Sequence, residues 1–143
     1  MNSGVSRPPL PTVRTPVPSD PLERLRALCL DLPEAHEVVA WGEPTFRVRG
    51  KLFATYASPA SHHGAGRPAA WVNAAPANQA LLVAAAPTRY FVPPYVGARG
   101  WVGVWLDRRP PWREIAPLLR DAYARTAPRS LAARLSQPAH PAG

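Results

Sequence analysis

Six cations stand between Pro44 and Leu106 with no carboxylate among them: Arg47, Arg49, Lys51, Arg67, Arg89 and Arg99. Three of these crowd one short stretch, Arg47-Val-Arg49-Gly-Lys51, and Arg99 lies in a glycine-bracketed segment, Gly97-Ala-Arg-Gly100. Cations on two exposed tips can neutralise backbone phosphates, each contact releasing counterions. Arg47, Arg49, Lys51 and Arg99 are therefore the candidate nucleic-acid contacts. The plainer role of the same side chains is to keep a hairpin soluble. Aromatic side chains offer a second chemistry. Trp41, Tyr95 and Trp101 could stack on unpaired bases, or wall a cleft that receives a small anion beside Arg47 or Lys51. Trp105 adds to that aromatic density, and packing within a core is the alternative for each of them.

Catalytic constellations are missing from the pattern. The serines fall in the N-terminal arm, one loop and the C-terminal end, and no glycine-rich phosphate loop or pair of carboxylates at a strand end is present. Glu43 and Asp107 are possible acids, but both fit turns, where such residues are common for backbone reasons. The single cysteine, Cys29, falls on an apolar helical face, which suits core packing better than reactivity. His62 and His63 are adjacent, but no Cys or carboxylate accompanies them at ligand spacing. The expectation is a protein that is not an enzyme and holds no metal or cofactor.

Composition sets the frame. The chain has 143 residues and a formal charge of +8, and all but one of its seventeen Lys and Arg are arginine. That length suits one domain with a real core. The basic balance favours polyanions as partners. One cysteine excludes an internal disulfide framework and points to a reducing cytoplasm. No apolar run approaches the length of a membrane span, and prolines interrupt the N-terminus where a secretory signal would need a continuous apolar stretch. A soluble, cytoplasmic, bacterial protein is expected.

The elements that must carry these residues follow in order. Residues 1–19 hold five prolines and read as a disordered or extended arm. Asp20-Pro-Leu-Glu23 is a helix start, with Asp20 as cap, and Leu22, Leu25, Leu28 and Cys29 share a face until Pro33. His36–Ala40 is a first strand, and Thr45–Val48 and Leu52–Tyr56 form a hairpin about Gly50. A three-residue turn there would put Phe46, Val48, Leu52, Ala54 and Tyr56 on one face; a two-residue turn would shift the register. A loop over 57–68 precedes a fourth strand, Ala69–Asn73. Then come a helix over 77–86 anchored by Leu81 and Leu82, a short extended stretch over 89–92, and a strand over 101–106. That strand sets Trp101, Gly103 and Trp105 on one face and Val102, Val104 and Leu106 on the other. The last long helix opens at Pro111 and buries Trp112, Ile115, Leu118, Leu119, Ala122 and Tyr123, with Pro117 either a kink or part of a late first turn. A short helical piece over 130–135 follows. The domain spans 20–135 and the tail 136–143.

Landmarks along this order resemble the MmcQ/YjbR-like family. They are Leu32-Pro33, Trp41-Gly42, Pro44-Thr45-Phe46-Arg47-Val48, Gly50-Lys51, Phe53-Ala54, Pro93-Pro94-Tyr95, Gly100-Trp101-Val102, Trp112, Leu118-Leu119, Asp121-Ala122-Tyr123 and Ala127-Pro128-Arg129 through Leu135. The resemblance covers roughly 22 to 135. Two departures are Ala122, where the family has Ser, and a 57–68 loop longer and richer in Gly and His. The resemblance implies an α+β fold, an antiparallel sheet with helices packed on one face, related to the CyaY-like arrangement. It also implies DNA binding, through a likeness to double-wing motifs. The frataxin side of that relationship raises iron binding, but acidic ridges serve that chemistry and this sheet region is basic. The expected function is non-catalytic DNA binding through the hairpin and turn cations; the alternative is a small-molecule or anion-binding domain with an aromatic pocket.

Overall fold

A computed structural model describes residues 20–60 and 66–136. The expected arm, most of the tail, and His62 with His63 lie outside the described residues. The elements are α1 (Pro21–Leu30), β1 (Ala35–Ala40), β2 (Glu43–Val48), β3 (Lys51–Ala57), β4 (Ala69–Asn73), α2 (Pro76–Ala85), β5 (Tyr90–Phe91), β6 (Trp101–Trp105), α3 (Trp112–Thr126) and α4 (Arg129–Ala132). Asp20 caps α1 by accepting from the Leu22 N–H at 3.1 Å, and Pro21 occupies the first helical position. Pro117 sits within α3 rather than in its first turn, so the helix tolerates one missing N–H on its exposed side.

The sheet has six strands in the order β1-β2-β3-β4-β6-β5, every neighbouring pair antiparallel. The first four strands form a meander. β4 and β5 then run parallel, joined through α2, and β6 returns between them. The helices gather on one face. Leu25 and Cys29 of α1, Ile115, Leu118, Leu119, Ala122 and Tyr123 of α3, and Leu131 of α4 enclose a core with Phe46, Val48, Ala54, Val72, Val102 and Val104. Leu82, Val83 and Ala86 pack against that core from α2, whereas Leu81, an expected anchor, is 68% exposed. The α+β arrangement expected from the sequence is the one observed.

The register of the β2–β3 hairpin comes from a two-residue turn. Arg49 and Gly50 have φ of 51° and 79°, and Val48 pairs with Lys51. Positive φ at both central residues matches the twist of the flanking strands, and glycine at the second position accepts it without strain. The turn sets Leu52 opposite Arg47, off the helix-covered face. A bulge then leaves Phe53 unpaired and restores Ala54 opposite Phe46. Phe53 thereby joins Ala54 in the core, edge-on to Tyr123 with ring centroids 5.8 Å apart. Of the two turns that the sequence left open, the two-residue one is observed, and Leu52 leaves the face that Phe46, Val48, Ala54 and Tyr56 share.

A basic end of the sheet

Strand direction decides which turns share an end. The Arg49-Gly50 turn closes β2 onto β3, and Ala54 pairs with Val72 of β4, so Asn73 ends β4 on the side of that turn. Asn73 pairs with Trp101, which places the start of β6 at the same end. Residues Val96–Arg99 form a 3-10 turn just before it, closed by Gly100 at φ 91°. A Cβ on Gly100 would lie 2.5 Å from Pro76, so the turn is pressed against the first residue of α2. Gln79 fixes it further, its amide donating to the Gly97 and Trp101 carbonyls at 2.7 and 2.6 Å. Lys51 and Arg99, nearly fifty positions apart in the chain, are thus brought to one end of the sheet. Their strands are two intervals apart, about 10 Å at ordinary strand spacing.

The four expected cations differ in what they can offer. Lys51 and Arg99 are exposed, and among the described residues neither has an ion-pair partner. Arg49 is exposed but engaged: its Nε and Nη2 donate to the two Glu34 carboxylate oxygens at 2.6 and 3.1 Å. The bonds from Arg49 hold the Glu34 carboxyl below the usual carboxylate range, with Arg134 adding to the effect. Arg47 is half-buried and lies along its own hairpin. It donates to the Thr45 hydroxyl at 3.1 Å and to the Gly50 carbonyl at 3.5 Å. Arg47 therefore braces the turn, though no carboxylate among the described residues pairs with its charge.

Two further cations join this end that strand patterning did not single out. Arg125, in the last turn of α3, donates to the Ala74 carbonyl at 3.3 Å. Arg134 acts electrostatically on both Glu34 and Tyr123, whose hydroxyl donates to the Pro33 carbonyl at 2.7 Å. In the sequence both arginines read as solvated helix surface. Only their basic position near a helix C-terminus, a favourable place for cations, carries any signal.

The expected aromatic set does not assemble. Trp41 is 86% exposed in the β1–β2 turn, at the opposite end of the sheet from the Arg49 turn. Tyr95, 75% exposed, follows β5 at the far edge. Trp101 is buried to 4% on the face away from the core helices, where it cannot stack on a base. The three residues therefore line no common cleft, because five strand intervals separate β1 from β5. Trp105 is occupied on both faces, stacked with Phe91 at 4.2 Å and covered by the Arg67 guanidinium at 4.2 Å.

The possible acids are structural in this geometry. Glu43 accepts from the Ser58 N–H and hydroxyl at 3.1 and 2.9 Å, fastening the start of the β3–β4 loop. Asp107 accepts two bonds from Arg67, both 2.8 Å, which hold its carboxyl below the ordinary range. Cys29 is fully buried, and burial pushes its thiol upward. Among the described residues, no three His, Cys, Asp or Glu side chains gather closely enough to hold a metal ion. No helix among them is long and apolar enough to cross a membrane.

Sheet order and one-sided helices define a small α+β protein with a six-stranded antiparallel sheet. The family model described as YjbR matches residues 30–125, and the chain belongs to that family. Among solved structures, it is similar to the crystal structure of the Deinococcus radiodurans protein DR2400, a DUF419 protein. The TM-score is 0.64 at 20% identity, covering 85% of this chain and 92% of that one, a likeness of fold. No curated protein matches the chain.

Proposed function

We propose that this protein is a non-catalytic DNA-binding protein that grips the duplex backbone with the basic end of its sheet. The observation that carries the reading is that Lys51 and Arg99, remote in sequence, stand exposed at one end on rigid turns. The strands behind them lie about 10 Å apart at ordinary spacing, comparable with the major-groove width of about 12 Å, so two such tips can reach phosphates on either side of a groove. Arg125 and Arg134 extend the same positive field, and the Glu34 carboxylate beside them is already paired with Arg49. Such contacts position a protein on DNA without reading bases, so affinity should depend on salt more than on sequence.

The test is fluorescence anisotropy of labelled duplex and single-stranded DNA across a salt series. Lys51→Ala combined with Arg99→Ala should weaken duplex binding for every sequence alike. It should also reduce the slope of log affinity against log salt by about 2, since each lost phosphate contact removes roughly 0.9. Arg108→Ala with Arg109→Ala, a matched charge change at the opposite end, should reduce that slope much less. Equal losses from the two double variants would reduce the binding to net charge and overturn the reading.

A further inference from the structure

The two edges of the sheet are built differently. β5 is two residues long and runs into Pro93-Pro94, which cannot extend a ladder. β1 is six residues long, contains no proline and pairs with β2 without a bulge. Edge strands are ordinarily blunted by shortness, proline, bulges or outward charge, because their free N–H and C=O groups template further pairing. β5 is blunted by shortness and proline, whereas the one charged side chain of β1, Glu37, is already paired with Arg26.

The turn fixes which groups of β1 are free. Trp41 and Gly42, with φ of 54° and 78°, form a two-residue turn, so Ala40 and Glu43 are a hydrogen-bonded pair. Alternation along the register makes Val38–Thr45 and His36–Arg47 bonded pairs as well. The N–H and C=O groups of Glu37 and Val39 consequently face outward from the sheet, whereas the Ala35 N–H is taken by the Leu32 carbonyl at 3.0 Å. Around them the surface is apolar: Val38 is 39% exposed, Val39 69% and Trp41 86%.

We infer that β1 pairs antiparallel with β1 of a second copy of this chain, joining two sheets edge to edge. The strand is self-complementary about a two-fold axis at Val38. Glu37 then faces Val39 of the second copy, each bonded through its outward groups, and Val38 faces its own equivalent. This register keeps the two Glu37 carboxylates from standing opposite each other, and each is neutralised by its own Arg26 at 2.6 and 2.9 Å. Antiparallel pairing also directs the basic ends of the two copies away from each other, so two strongly cationic molecules meet along their least charged edge. The contact area is that of one short strand, below the standard interface size, and the association is of the weak, concentration-dependent kind. It does not depend on nucleic-acid binding.

Sedimentation equilibrium of the full chain without DNA, from micromolar to near-millimolar concentration, tests this. The average mass should climb from the 15.5 kDa monomer toward twice that value. Val39→Pro removes an N–H that faces outward from the sheet and bonds nothing among the described residues, so it should hold the protein monomeric with circular dichroism and melting unchanged. If that variant loses its fold, Val39→Glu places a carboxylate directly opposite Glu37 of the second copy and should give the same monomer. A wild-type protein that stays monomeric throughout would overturn the inference. So would a folded edge variant that still dimerises like the wild type.

Discussion

Glu34 governs how much of the Arg49 charge is available to a ligand. The pair is bidentate yet exposed, so water and salt already compete for it, and a phosphate can take the guanidinium in the carboxylate's place. Glu34→Gln removes one negative charge and releases Arg49. Duplex affinity at low salt should rise, and the salt slope should steepen by about 1. An anisotropy titration that gives weaker binding in this variant would mean that Glu34 orients Arg49 productively instead of restraining it. Arg67 and Asp107 behave differently because the guanidinium also rests on Trp105. The Asp107 carboxyl is depressed in the folded state, so its contribution to stability is fully present above the unfolded carboxylate value of about 3.9. It is lost as pH falls through the folded value. Arg67→Met should therefore lower the melting temperature at neutral pH, a loss on the order of 1 kcal/mol for a half-exposed pair. The gap from wild type should narrow below about pH 4 to the part that the Trp105 contact contributes, as melting curves from pH 7 to 2 would record.

At the scale of elements, the β2–β3 hairpin links core to function. Its two-residue turn presents Lys51, and its bulge returns Phe53 and Ala54 to the core so that Tyr123 of α3 can pack against them. Phe53→Ala should cost about 3–5 kcal/mol in a urea titration, the usual range for a fully buried phenylalanine. Leu52→Ala, on the less enclosed face, should cost clearly less. A three-residue turn would have reversed that order, which makes the pair of variants a direct readout of register. Hydrophobic alternation alone could not choose between these turns. A bulge adds one residue and repairs the period two positions later, so both registers satisfy most of the pattern.

For the whole molecule, much was legible in the chain. Asp20-Pro21 marked α1, period-two stretches marked β2, β3, β4 and β6, and the spacing from Ile115 to Tyr123 marked the buried side of α3. These signals are local: a cap, a fixed φ or a repeat of 2 or 3.6 is written within a dozen residues. The family landmarks were legible for the same reason, being short segments in a fixed order. Tertiary structure alone decided which turns share an end of the sheet. It also tied Arg49 to Glu34, brought Arg125 and Arg134 beside the hairpin, buried Trp101 and set Trp41 and Tyr95 at opposite edges. Each of those outcomes rests on strand order and direction. Strand order is settled by pairings between residues tens of positions apart, whose burial must outweigh the entropy of closing long loops, and no local pattern records that balance.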